Sequence, residues 1–134
     1  METLFTKIEQ GIIPSTKIYE DDYCFVILDI NPVKKGHALV ISRQPNPNIA
    51  SCPDDILQHM IVVAKKIDAK QREVLGNQGS NIIINNDPAS GQEVPHLHIH
   101  VIPRFEGDNR KHFQEHDKYQ EGEMQSFGDK LRII

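Results

Sequence analysis

Three of the chain's seven histidines stand at alternate positions of one short stretch, EVPHLHIH, as His96, His98 and His100. A β-strand points successive side chains to opposite faces. The three imidazoles therefore share one face, while Leu97, Ile99 and Val101 share the other, which packs inward. Three readings of the row compete. In the plainest, a half-exposed strand happens to carry histidine at its polar positions. In the second, the histidines hold a metal. A rise of about 3.3 Å per residue puts the first and third roughly 13 Å apart, too far to converge through bonds of about 2.1 Å. Two of them would then need a ligand from elsewhere, and His37 is available. In the third, the row does nucleophilic and acid–base chemistry. A neutral imidazole attacks phosphorus, and histidine titrates near neutral pH. A central His98 would attack, one neighbour helping to set its tautomer and the other donating to a phosphate oxygen. This reading uses all three residues and accounts for their spacing.

Such side chains need a frame, and the rest of the chain supplies one. Thr3 to Gln10 fits a short helix, with Leu4, Phe5 and Ile8 on one side and Gly11 closing it. Lys17 to Tyr19 and Tyr23 to Asp29 read as strands around Glu20-Asp21-Asp22, and Asn31-Pro32 then breaks the chain. GHALVIS, Gly36 to Ser42, is another strand, followed by the loop QPNPN. The longest helix begins near Ser51 to Pro53. Proline suits its first turn, and Asp54 and Asp55 complement the positive end of the helix dipole. Ile56, Met60, Val63 and Ile67 recur at helical spacing until Gly76-Asn77-Gln78-Gly79 ends the run. Asn81 to Asn85 and His96 to Pro103 complete five strands. The order predicts an α+β domain with a mainly antiparallel five-stranded sheet, one short helix and one long one. After Arg104 the sequence turns polar. Residues 1–104 are expected to form the domain and 105–134 its polar tail, in which Met124, Phe127 and Leu131 are spaced for a short terminal helix.

At 134 residues the chain suits one domain, which buries roughly two-thirds of its unfolded surface without disulfides. The formal net charge of −4 argues against non-specific binding to nucleic acid or to an anionic membrane. Cys24 and Cys52 form no CxxC pair, which points to a reducing cytoplasm. METLFTKIEQGIIPSTK has neither a signal peptide's apolar core nor a membrane span.

HLHIHVI, His96 to Ile102, resembles the His-x-His-x-His-x-x signature, x apolar, of the histidine triad family. LFTKIEQGIIPSTKIYEDD, LDINPVKKGHALVI and INNDPASGQEV are similar to the family in family order, so the resemblance runs roughly from Thr3 to Arg104. It implies a homodimer with a sheet continuous across the interface, and cleavage at a nucleotide α-phosphate through a nucleotidyl-histidine that water hydrolyses. Purine nucleoside 5′-phosphoramidates are the favoured substrates and dinucleoside polyphosphates come next. A non-catalytic nucleotide-binding protein on the same fold is the rival from another class. By the same resemblance, His98 is the nucleophile, His96 and His100 flank it, and His37 supports the triad. Asp29 would accept two hydrogen bonds from the ribose hydroxyls. Leu4, Phe5, Ile8 and Ile27 would form the apolar base pocket. Asn85 and Gly91 would meet the phosphate, with Gln92 nearby. No cofactor is implied.

Two departures stand out. Glu93 lies where some relatives carry Ser or Thr near the leaving group, which blurs the substrate class. TLFT, Thr3 to Thr6, replaces the CxxC through which some relatives bind structural zinc, so no such zinc is expected. Lys34, Lys35 and Arg104 are candidates for local positive charge, although simple surface solubility explains the lysines better.

Overall fold

The computed structural model describes residues 2–108 and 116–133. In chain order the elements are α1 (Leu4–Glu9), β1 (Lys17–Glu20), β2 (Cys24–Leu28), β3 (Ala38–Ser42), α2 (Asp54–Leu75), β4 (Gly79–Ile83), β5 (His98–Arg104) and α3 (Glu123–Leu131), with short 3-10 turns at Ile49–Ser51 and Pro88–Ser90. The five strands form one sheet in the order β1-β2-β3-β5-β4, and every neighbouring pair is antiparallel.

Each helix has a local cause. α1 is only six residues long and starts on a reciprocal pair of threonines: the Thr3 hydroxyl accepts from the Thr6 amide, and the Thr6 hydroxyl accepts from the Thr3 amide. α2 runs for 22 residues, with Asp54 and Asp55 in its first turn and Gly76 ending it at φ 71°. Pro53 caps the helix from outside rather than sitting in its first turn. The stripe Ile56, Met60, Val63, Ala64 and Ile67 is buried, as its spacing predicts.

The sheet is covered on both faces. On one, Ile18, Cys24, Val26, Leu28, Val40, Leu97, Ile99 and Val101 join the α2 stripe and Leu131 of α3 in the main core. On the other, Phe25, Ile27, Leu39 and Ile41 form a smaller cluster closed by Phe5 from α1. Every residue of β2 and β3 is buried for this reason.

Three expectations need correcting. The histidine row is not an exposed polar face: His96 is 1% and His98 7% exposed, because α1 lies over that side of the sheet. His96 also falls before β5, which begins at His98. Finally, β4 covers Gly79–Ile83 instead of Asn81–Asn85: its register starts with Gly79 opposite Arg104 and ends with Ile83 opposite His100, after which the chain leaves the sheet. The end of the tail is part of the domain. Leu131 is buried, the Ile133 amide donates to the Ile18 carbonyl, and a side chain at Gly128 would run into the Thr16 methyl group. Both cysteines are buried free thiols, and among the described residues no helix is long and apolar enough to cross a membrane.

Candidate active site

Sheet register brings the site together. Ile27 pairs with Leu39 and Leu39 with His100, while Phe25 pairs with Ile41 and Ile41 with His98. Directly opposed residues share a face, so His98 and His100 lie on the sheet face that carries the smaller apolar cluster. Phe5 reaches that face from α1 with its ring centroid 4.9 Å from His98 and 5.6 Å from His96, both edge-on. The His98 and His100 rings are neighbours at 5.0 Å. His37 enters from the turn before β3.

Hydrogen-bond partners assign the tautomer of each ring. The Val33 amide donates to His37 Nδ1 at 3.1 Å, so neutral His37 carries its proton on Nε2. That proton is donated to His100 Nδ1 at 2.9 Å, which leaves the His100 proton on Nε2 as an available donor. His98 Nδ1 donates to the His96 carbonyl at 2.7 Å, so its Nε2 keeps a lone pair. His96 Nε2 donates to the Ser42 carbonyl at 2.6 Å, and its Nδ1 accepts from the Thr3 hydroxyl at 2.7 Å. Thr3 and Thr6 cap α1 between them, and the Thr3 hydroxyl ties the helix to His96.

All four rings are held neutral at neutral pH. Burial pushes His37 down to about 3, assisted by the charges that His100, His116 and His98 would carry. Burial and His98 push His100 down to about 4. His96 and His98 are lowered by burial, in part offset by their bonds to the Ser42 and His96 carbonyls. Desolvation disfavours the charged form of each, so His98 is a free base where a nucleophile must be one. Asp29, half-buried after β2, is raised by burial and partly brought back by the Asn31 amide. Its Oδ1 accepts from that amide at 2.9 Å, and its Oδ2 lies 3.7 Å from His37 Nε2.

The other residues singled out by sequence divide into those near the histidines and those elsewhere. Phe5 and Ile27 are buried in the apolar cluster beside the histidines, and Ile8 packs against it, whereas Leu4 is 45% exposed. Asn85 is half-buried two residues beyond Ile83, the partner of His100. Gly91 adopts φ 100°, and Asp87 adopts φ 71°, an uncommon angle for a residue with a side chain. Both lie in the loop that precedes the histidines. The Gln92 side chain braces this loop: its Oε1 accepts from the Asp87 amide at 2.6 Å and its Nε2 donates to the Pro47 carbonyl at 2.7 Å. Glu93 is exposed. Arg104 is not a loose positive charge, since its buried guanidinium forks onto Asp108 at 2.7 and 3.0 Å. Lys35 pairs with Glu123.

Sequence reasoning missed the Val33 amide and the Thr3 hydroxyl, whose parts are played by backbone position and by contact across 93 residues. As to metals, two groups among the described residues hold their ligand atoms within 4.8 Å of one another: Asp21, Cys24 and His59 away from the row, and Asp29, His37 and His100, which includes one residue of it.

The comparisons with known proteins agree with this geometry. The HIT domain model matches residues 10–107. The chain is 44% identical over 105 residues to a HIT-like protein of Methanocaldococcus jannaschii, covering 78% of this chain and 81% of that one. It is 37% identical over 107 residues to the adenylylsulfatase HINT3 of Arabidopsis thaliana, covering 80% of this chain but only 54% of that protein. A zinc-bound histidine triad family protein from Mycobacterium smegmatis superposes with a TM-score of 0.87 at 34% identity, covering 98% of this chain and 91% of that chain. A Hit-like protein from Bartonella henselae does so with a TM-score of 0.86 at 31% identity, over 98% and 95%. With the sheet, the buried histidine row and these relatives in agreement, this chain belongs to the HIT domain, or histidine triad, family.

Proposed function

We propose that this protein is a nucleotide hydrolase acting at the α-phosphate of purine nucleoside 5′-phosphoramidates or related derivatives, through a nucleotide carried on His98. Members of the family support nucleotide binding and hydrolysis in general, and HINT3 shows that one relative is named for cleaving an adenylyl sulfate. The observation that carries the reading is the tautomer of His98: its Nδ1 proton is committed to the His96 carbonyl, which leaves Nε2 with the lone pair that an attack on phosphorus needs.

In the first step His98 Nε2 attacks the α-phosphorus in line. A P–N bond to the ring forms, the bond to the leaving group breaks, and its electron pair departs with that group, which takes up a proton from solvent. His100 donates its Nε2 proton to a phosphate oxygen as charge collects there. Water then attacks the nucleotidyl-histidine and gives up a proton to solvent, the P–N bond breaks with its electron pair returning to His98 Nε2, and the nucleoside monophosphate leaves. Asp29 Oδ2 accepts from the ribose, the base lies against Phe5, Ile8 and Ile27, and Asn85 and the Gly91 backbone meet the phosphate. Gln92 serves by bracing the loop, and Glu93 faces the leaving group. No step requires a cation.

A homodimer with a continuous sheet fits the exposed edge at β4. This strand, GSNII, carries no charge or proline to block pairing and leaves Ile82 46% exposed. The free thiols suit a reducing compartment such as the cytoplasm.

The deciding experiment is turnover of adenosine 5′-phosphoramidate in chelator by wild type and by His98→Ala. Release of AMP by wild type alone supports the reading. Tight nucleotide binding without turnover would make the site a reader rather than a cutter. Faster turnover of diadenosine polyphosphate would shift the substrate class while keeping the mechanism.

A further inference from the structure

The turn between β2 and β3 carries both Asp29 and His37, yet its tip has little packing of its own: Ile30 is 83% exposed and Asn31 is exposed. The tail comes back to hold it. His116 Nδ1 donates to the Asn31 carbonyl at 2.7 Å, the Asp117 amide donates to the Pro32 carbonyl at 2.8 Å, and the Gly36 amide donates to the Tyr119 hydroxyl at 2.7 Å. This strap is itself anchored. Tyr119 stacks edge-on against Phe127 with centroids 5.5 Å apart, and Phe127 and Leu131 pack into the main core. From the other side, Gln71 of α2 donates to the Gly36 carbonyl at 2.9 Å. The turn is therefore clamped between the long helix and the tail.

Asn31 links the tail to Asp29 most directly. Its amide donates to Asp29 Oδ1 while its carbonyl accepts from His116, so the two bonds hold one residue from opposite ends. The imidazole also stands close enough for its charge to draw the Asp29 carboxyl down against the effect of burial, whereas Glu93 pushes it up.

We propose that His116 is a positioning residue for the ribose end of the site: by holding the Asn31 carbonyl it keeps the Asn31 amide on Asp29 Oδ1 and leaves Oδ2 aimed at the vicinal hydroxyls of a ribonucleoside. The proposal rests on the hydrolase reading with Asp29 as the ribose acceptor. It makes the tail a determinant of ribose recognition rather than a stabilising appendage, which would affect all substrates alike.

The test compares adenosine 5′-phosphoramidate with its 2′,3′-dideoxy counterpart on wild type, His116→Ala and His116→Gln, with thermal unfolding of each as a folding check. Wild type should prefer the ribose substrate. His116→Ala should lose about fivefold of that preference in kcat/KM, the scale of one hydrogen bond, while the dideoxy substrate changes by less than about twofold. His116→Gln keeps an N–H donor and should recover much of the preference. An unchanged ratio in His116→Ala, or an equal loss on both substrates, overturns the proposal and leaves the hydrolase reading intact. Absence of turnover by wild type on either substrate overturns the hydrolase reading, and the proposal falls with it.

Discussion

His37 Nε2 lies 2.9 Å from His100 Nδ1, and the amide of Val33 on the far side of the His37 ring decides which of the two carries the shared proton. The main chain thus dictates the protonation of an imidazole two steps away. Rotation or loss of His37 would let His100 protonate Nδ1 instead and present a lone pair, not a donor, to a phosphate.

Replacing His37 by alanine should therefore lower kcat about 10²-fold, the usual worth of one positioned acid–base group, with little change in substrate affinity. Single-turnover rates beside equilibrium binding separate the two. A wild-type rate in His37→Ala would show that the His100 tautomer needs no such support.

The depressed histidines also make stability depend on pH. His37 at about 3 and His100 at about 4 lie below the unfolded value near 6.5, with burial as the leading cause. Between these limits the unfolded chain binds more protons than the folded one. Stability should be full above about pH 6.5 and fall as pH drops toward 4, by up to about 1.4 kcal/mol per pH unit for each such proton. Asp108, held down to about 2 by Arg104, loses its contribution only at lower pH, so the histidine window can be read separately. Urea denaturation from pH 8 to 4.5 measures the slope, and His37→Ala should flatten it. An equally steep fall in the variant would exclude His37 as a source.

Thr3 serves two bonds at once, capping α1 and donating to buried His96. Thr3→Ala should cost about 2–3 kcal/mol, combining a lost cap with an unpaired buried ring nitrogen. The urea midpoint should fall at constant m-value, and Thr3→Ser should restore most of it. A cost below about 0.5 kcal/mol would mean that α1 is held over the histidines by its other contacts, Phe5 and Ile8 on the apolar cluster and Glu9 on Arg43, rather than by Thr3.

Added zinc should inhibit turnover by occupying Asp29, His37 and His100, whose ligand atoms are mutually within 4.8 Å. Chelator should reverse the inhibition, and Asp29→Ala should weaken it. Activation by zinc, rather than inhibition, would instead favour a metal-dependent reaction.

Much of the frame was legible because strand and helix periods are geometric. The alternation of Leu97, Ile99 and Val101 with the histidines put three apolar side chains in the main core, and the stripe from Ile56 to Ile67 put α2 against it. The common face of His98 and His100 likewise followed from strand alternation, and the resemblance carried by HLHIHVI led to the right family. Tertiary contacts decided the rest. His96 and His98 are buried because a six-residue helix from the other end of the chain lays Phe5 against them, a placement no local period encodes. Gln92 braces a loop and Arg104 binds Asp108 because their partners converge only in the folded chain. The tautomers of His37 and His100 depend on one backbone amide, and the sequence of side chains carries no record of where an amide will point.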